Sequence, residues 1–529
     1  MEIQMHAAAA SRMAPKVIAL LLAGLFAGAT SAAESKKIWI TVGDAAYTQL
    51  QKVAPQTIAR ESRLSQTNAA GDKNAGSEKV HLVEVDEEQM LQLSAAIHHE
   101  LKRCGGFMFH ASENEGQKAL KQPIAASLAA LSRPAYVIDN QTLVTPMLPQ
   151  MQDSNIAQTI NDLSAFTNRY YTTSSGVNAS NWLKNKWAGM AAGRSDISVS
   201  QFTHPNWAQK SVILTINGTD NAAEVVVLGA HLDSINSAGT GEATRAPGAD
   251  DDASGVASMT EALRAMIASN YKPRRTIKMI GYAAEEVGLR GSQEIARNFK
   301  ANNVNVVGVM QLDMTNYKGS PSDIYIYTDY TDSQQNTFVV NLLNTYLPTL
   351  SIGYDKCGYG CSDHASWTAQ GYYASMPFEA AMSQDNPYIH TVNDTYASSG
   401  NQALHALKFA RLATAYAVEL GSDGPGVIPP TDRVETFNGS LSSGQKKTFG
   451  PYKVAAGGSF KAVLSGTGDT DLYVRKAAVP TTTTFDCKSD GPSSTENCTL
   501  NLTANGDVYV MLNGYTASTY TLTLTYLPQ

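Results

Sequence analysis

The sequence predicts an α/β protein: a mostly parallel central sheet flanked by helices, preceded by a small α+β segment and followed by a β-sandwich. Three observations carry this. Between residues 138 and 424, continuous apolar runs alternate with stretches of helical periodicity. A Gly- and Pro-rich break, DGPGVIPPTD, interrupts the pattern at 423–432. Beyond it the composition turns to Thr, Ser, Gly and Tyr, in short runs that alternate apolar with polar residues. At 529 residues, 43% hydrophobic and 16% charged, the chain has the balance of a globular protein of several domains. A net charge of -7, with no run of Lys or Arg, gives no ground for a nucleic-acid partner.

Arg12 and Lys16 precede the apolar run VIALLLAGLFAGA (17–29), and the small residues Thr30, Ser31, Ala32 and Ala33 follow it. This reads as a signal peptide over 1–33 and predicts an exported, extracellular product. The alternative is an uncleaved anchor, but the run is short for a membrane span and no later segment approaches one, so no stable span is expected. Residues 34–137 hold strand-like KKIWITVG and EKVHLVEV, then a helical stretch over Glu87–Lys102. This part precedes every candidate ligand and carries Cys104, the odd one of five cysteines. It is expected to be a propeptide that inhibits the chain or aids its folding; a permanent accessory domain is the alternative. Cys357 with Cys361, and Cys487 with Cys498, read as local disulfides of an oxidising compartment. The first pair could instead bind metal, but no His or further Cys stands at ligand spacing.

Within 138–424, SVILTI (211–216) and EVVVLG (224–229) are continuous apolar runs, as buried strands should be. Val256, Met259, Leu263, Met266 and Ile267 recur at helical spacing, so DDASG opens a helix. TIKMIGY (276–282), VVGVMQL (306–312) and DIYIYT (323–328) are further strands. A linker over 425–432 leads to the sandwich, residues 433–529, whose strands include GDTDLYVRK, DVYVMLNGY and STYTLTLTYL.

Acids and imidazoles collect where these strands end. His231 stands just beyond EVVVLG, Glu285 and Glu286 follow TIKMIGY, and Asp313 follows VVGVMQL. Asp251 lies in the loop PGADDDASG and His390 in the loop NPYIHT. In an open parallel sheet the C-terminal strand edge is where ligands bind. Two imidazoles and three carboxylates hold two divalent metals if one carboxylate bridges, and a bridging hydroxide neutralises the remaining charge. A spare carboxylate beside them is the base that hydrolysis needs. Asp233 is placed to hold the other nitrogen of His231. The residues alone do not choose which Asp of the 250–252 run bridges, or which of the paired glutamates is the base. There is no G-x-S-x-G for a serine hydrolase and no H-E-x-x-H, since His99-Glu100 is followed by Leu101, Lys102 and Arg103.

The segments HLDS, APGADDDASG, YAAEEVGLRGSQ, QLDMTNYKGS, CGYGCSDHASW and NPYIHT resemble, in order and spacing, those of the secreted bacterial leucyl aminopeptidases. These are zinc exopeptidases with two co-catalytic metals, and the resemblance covers most of residues 138–420. It implies the zinc exopeptidase fold and two Zn²⁺, one held by Asp251, Glu286 and His390, the other by Asp251, Asp313 and His231. It also implies a cis peptide between Asp251 and Asp252, Glu285 as general base, and Tyr359 as support for the oxyanion. The implied substrates are peptides with a free N-terminus, from which one residue is removed, by preference Leu or another large apolar one. Met314, Cys357, Cys361, Phe378, Met382 and Ile389 are candidates to line that pocket; ordinary core packing is the alternative for each. Where the family often has an aromatic before NPxIH, this chain has Asp385, which bears on the ranking of substrates. The C-terminal segment resembles the bacterial pre-peptidase C-terminal domain. A monomer is expected. A carboxypeptidase or glutaminyl cyclase on the same scaffold is the alternative function. A non-catalytic binding protein on this fold would have lost ligands, and here all are present.

Overall fold

The computed structural model describes residues 36–64, 79–101, 105–121, 133–423 and 432–529. The expected signal segment 1–33, Cys104 and most of the expected linker lie outside the described residues. Near the N-terminus, β1 (Lys37–Gly43), β2 (Glu61–Leu64), β3 (Lys79–Asp86) and β4 (Phe107–His110) form an antiparallel sheet in the order β2-β3-β1-β4. Alternation along β1 buries Ile38, Ile40 and Val42 against Leu50 of helix Asp44–Val53 and Leu93 and Ile97 of helix Glu87–Leu101.

The central sheet contains β5 (Ile197–Phe202), β6 (Ser211–Ile216), β7 (Asn221–His231), β8 (Arg275–Tyr282) and β9 (Asn305–Gln311). With β12 (Ala374–Ser375) its order is β12-β9-β7-β8-β6-β5. The four strands from β12 to β8 run parallel, whereas β6 is antiparallel to β8 and β5 antiparallel to β6, so the sheet is mixed. The run SVILTI is a buried strand, but burial on both faces does not encode direction. DIYIYT forms β10 (Ile324–Tyr327), which leaves the central sheet. It pairs with β11 (Ile352–Asp355) and β13 (Pro377–Phe378) in a separate three-stranded sheet.

Side chains of β7 divide between the two faces. Val226, Leu228 and Ala230 join a core with helices Asp153–Ser164, Ala253–Ala268 and Leu404–Ser422. Val225 and Val227 face Ile295, Ala296 and Phe299 of helix Arg290–Ala301. This two-sided burial explains why β7 has no polar alternation.

The C-terminal segment is a sandwich of two antiparallel four-stranded sheets. One has the order β14 (Arg433–Leu441), β21 (Ser518–Tyr526), β16 (Ser459–Thr467), β19 (Glu496–Asn501). The other has β15 (Lys446–Val454), β20 (Gly506–Gly514), β17 (Thr470–Lys476), β18 (Cys487–Ser489). Alternate residues Phe460, Ala462, Leu464, Val508, Val510 and Leu512 fill the space between them. Both expected disulfides are present, with Cα–Cα distances of 6.1 Å for Cys357–Cys361 and 5.9 Å for Cys487–Cys498, and the second joins the two sheets. Among the described residues no helix is long and apolar enough to cross a membrane.

Because the sandwich core shares no residue with the central core, Phe460→Ala should act on it alone. The expected loss is about 3–5 kcal/mol, read in calorimetry as a lowered transition for the sandwich with the main transition unchanged. A second expectation concerns pH. His110 Nε2 lies 2.9 Å from Thr41 Oγ1, and burial, with Arg297 adding to it, pushes this imidazole down to about 3. Its unfolded value is near 6.5, so the unfolded chain binds the extra proton and stability falls as pH drops from about 6.5 towards 3. Protection factors of amides in β1 and β4, that is exchange corrected for the pH dependence of intrinsic rates, should therefore be lower at about pH 5 than at about pH 7.5, and His110→Gln should weaken that dependence.

Candidate metal centre

β9, β7 and β8 are neighbours and parallel, so their C-terminal ends open on one edge. Gly229 pairs with Gln311, and His231 with Tyr282. His231 is the last residue of β7, Asp313 follows β9, and Glu285 and Glu286 lie in the loop after β8. Asp251 immediately precedes Asp252, the N-cap of helix Ala253–Ala268, and the peptide between these aspartates is cis. Ala284, Met314 and His390 have left-handed backbone, with φ of 58°, 55° and 56°. Such a conformation is uncommon for residues with a side chain, and here each re-aims a loop at the point where it enters the site.

The structure brings His231, Asp251, Glu286, Asp313 and His390 together in a buried cluster. His231 Nε2 is 2.8 Å from Asp251 Oδ1 and 3.5 Å from Asp313 Oδ1. His390 Nε2 is 3.1 Å from Asp251 Oδ2 and 3.0 Å from Glu286 Oε2. Asp251 thus turns one oxygen to each imidazole, and each Nε2 has one further carboxylate beside it, Asp313 for His231 and Glu286 for His390. Among the described residues Glu285 forms no ion pair with either imidazole.

Other carboxylates hold the frame. Asp252 Oδ1 accepts from the N–H of Gly255 at 2.9 Å and of Met314 at 3.1 Å, and its Oδ2 from the N–H of His231 at 2.9 Å. Asp394 accepts from the N–H of Asp250 and Asp251, each at 3.1 Å. Asp233 departs from the expected arrangement. Its backbone carbonyl, not its carboxylate, makes the closer contact to His231 Nδ1, at 3.1 Å against 3.6 Å. The carboxylate instead accepts from the N–H of Glu285 at 3.0 Å and of Glu286 at 3.2 Å. Ser362 Oγ donates to Asp313 Oδ2 at 2.5 Å.

Sequence reasoning missed Asp252, Asp394 and Arg169. The wholly buried Arg169 guanidinium donates to the carbonyls of Leu232, Pro247 and Gly248, and so sets a cation among the acids. Asp252 stands in the visible DDD run, but nothing local marks Asp394 or Arg169.

The donor set fits divalent cations. Asp251 Oδ2, Glu286 Oε1, Asp313 Oδ1 and His390 Nε2 are buried and make no well-formed hydrogen bond among the described residues. Buried polar atoms left this way are costly unless something else satisfies them. Asp252 also lies within ligating reach of His231 and Asp313. Both its oxygens, however, already accept from backbone N–H groups, whereas Asp251 turns one oxygen to each imidazole. Burial pushes Glu286 up to about 7, with the nearby Asp251 charge adding to it. Burial works to lower both imidazoles, but the surrounding carboxylates overcome it and hold them well above their usual value. The cluster is rich in carboxylates and favours positive charge.

The six expected pocket residues, Met314, Cys357, Cys361, Phe378, Met382 and Ile389, form one buried cluster with Tyr359, Tyr327 and Met376. Tyr327 meets Phe378 edge-on at 4.9 Å. The loop that follows Phe378 carries Asp385, which is buried and driven up by that burial and then by the charges of Asp251 and Asp250. The N-terminal sheet and its helices also reach this region. The N–H of Phe109 donates to the Gly288 carbonyl at 3.1 Å, and Met108 packs with Leu289 and Ala365.

Strand-end imidazoles and carboxylates on an α/β sheet, with unsatisfied donors facing one another, define a metallohydrolase. The comparisons make this specific. Residues 211–415 match the model of Peptidase family M28, and residues 453–514 match that of the bacterial pre-peptidase C-terminal domain. Leucine aminopeptidase 1 of Arthroderma otae is 36% identical over 316 residues, spanning 55% of this chain and 81% of the relative. Leucine aminopeptidase 1 of Aspergillus niger is 37% identical over 295 residues, 52% of this chain and 73% of the relative. The crystal structure of the Legionella pneumophila LapA aminopeptidase is 30% identical with a TM-score of 0.60, covering 74% of this chain and 99% of that one. The chain belongs to Peptidase family M28, as the resemblance in its motifs implied.

The frame carboxylates can be tested apart from any metal. Asp252→Ala leaves three buried N–H groups without an acceptor, at about 1–3 kcal/mol each. Urea denaturation of metal-free protein should show a loss of about 3 kcal/mol or more, with Asp252→Asn less affected because its amide oxygen still accepts.

Proposed function

We propose that this chain is an exported zinc aminopeptidase, made as a proenzyme, that removes the N-terminal residue from peptides and prefers Leu or another large apolar residue. The observation that carries this reading is Asp251, whose two oxygens lie 2.8 Å from His231 Nε2 and 3.1 Å from His390 Nε2. A carboxylate so shared suits a pair of metals. His390, Asp251 and Glu286 would hold one zinc, and His231, Asp251 and Asp313 the other. When bound, the metals supply Lewis acidity that polarises the scissile carbonyl and makes water nucleophilic near neutral pH.

The chain's own residues do the rest. Glu285 takes the proton of the attacking water and passes it to the leaving amine. Asp233 fixes the start of this loop by holding the amides of Glu285 and Glu286, so it positions the base. Tyr359 stabilises the developing oxyanion. The apolar cluster around Met314, Phe378 and Met382 receives the side chain of the residue to be removed. The domain reading is that residues 1–33 are the signal, 34–137 the propeptide, 138–424 the peptidase, 425–432 a linker and 433–529 an appended sandwich. The match to the bacterial pre-peptidase C-terminal domain and the two disulfides support export.

Glu285→Gln should reduce hydrolysis of leucine p-nitroanilide by about a thousandfold or more while bound zinc, measured by elemental analysis, stays near two per chain. Near wild-type turnover in that variant would remove Glu285 as the base. Cleavage of an N-blocked dipeptide, with a C-blocked one left intact, would overturn the aminopeptidase reading in favour of a carboxypeptidase.

A further inference from the structure

Helix Glu87–Leu101 has one buried face, Met90, Leu93, Ser94, Ile97 and His98, at the spacing of a core stripe. Met90, Leu93 and Ile97 pack in a cluster that includes Tyr170, Tyr171, Ile235, Ala284 and Val287, so this face is seated partly on the loops around the metal centre. The last residue of the stripe is an imidazole where an apolar side chain would serve packing better. The His98 ring lies 5.6 Å from the His390 ring, with planes tilted by 35°. Two imidazoles on one tetrahedral zinc, at Zn–N of about 2.1 Å, have ring centres about 5 Å apart.

The helix is fixed along its length. Arg290 pairs with Glu87 at 3.0 Å and lies 3.7 Å from Met90 Sδ, which anchors the start of the helix. Its far end then reaches the loop that carries His390. Next to the helix in sequence, Phe109 is tied at its N–H to Gly288 and at its carbonyl to Gln293 Nε2, at 3.1 and 3.0 Å. A zinc held by His390, Asp251 and Glu286 has three protein ligands, and a catalytic zinc keeps its fourth position open.

We propose that His98 fills that fourth position, so that the N-terminal domain closes the centre by ligating a metal and not only by covering it. The inference rests on the zinc-pair and proenzyme reading given above. It assigns the block to one imidazole, on the helix that also holds the domain in place. Removal of the domain withdraws the ligand and opens the position that substrate requires.

The test uses the intact, unprocessed full-length chain loaded with Co²⁺. Its visible absorption spectrum and its metal retention against a chelator are compared for wild type, His98→Ala and His99→Ala, the last being an exposed neighbour. His98→Ala should change the Co²⁺ spectrum and weaken retention of one metal by about tenfold or more, and His99→Ala should leave both as in wild type. If His98→Ala does not fold, as judged by circular dichroism and thermal melting, His98→Asn is read in the same way. A folded His98 variant with the wild-type spectrum and retention overturns the proposal while the metal centre stands. An intact wild-type chain that binds no Co²⁺ overturns the metal-centre reading, and this inference with it.

Discussion

The site depends on one constraint: several carboxylates are buried close together, and they must be neutralised without losing their positions. Asp251 sits at the centre of it, with His231 on one oxygen and His390 on the other. Like charges this close repel strongly in a medium of low dielectric. The fold answers with two buried imidazoles, the Arg169 guanidinium, and donors that fit divalent cations.

The acids divide their work by where their hydrogen bonds go. Asp252, Asp394 and Asp233 accept backbone N–H groups, and so tie the helix cap, the β7 end and the loop after β8 to one another. Asp251, Glu286 and Asp313 keep oxygens without such partners. Acids of the first kind fix geometry, and those of the second kind are available to a metal. Three neighbouring aspartates, Asp250, Asp251 and Asp252, are therefore not interchangeable. Asp250 accepts from the N–H of Asn316 and from Asn386, Asp252 is saturated by three backbone donors, and only Asp251 faces both imidazoles.

The N-terminal domain is bound into the same region. Its helix Glu87–Leu101 shares a core with Ala284 and Val287, which flank the paired glutamates. Folding of that domain and the shape of the loops around the site are thereby physically coupled, because residues that complete its core belong to those loops. The C-terminal sandwich has a separate core and its own disulfide.

Much of this was legible in the sequence. Apolar runs revealed the buried strands, helical spacing revealed the helix after Asp252, and charges stood where strands ended, since periodicity and burial are local properties of the chain. The family resemblance then pointed to Asp251 within the DDD run, and the structure turns its two oxygens to the two imidazoles. Strand direction was not legible: SVILTI and EVVVLG look alike, yet β6 runs antiparallel and β7 parallel to β8. Nor did the sequence reveal that the Asp233 carboxylate holds two amides while its carbonyl meets His231, that Arg169 and Asp394 serve the site from far along the chain, or that His98 lies against His390. These are contacts between segments up to hundreds of residues apart. Composition and spacing determine which groups are present and on which edge. Only the packed structure decides which oxygen is satisfied by a backbone N–H and which is left to bind.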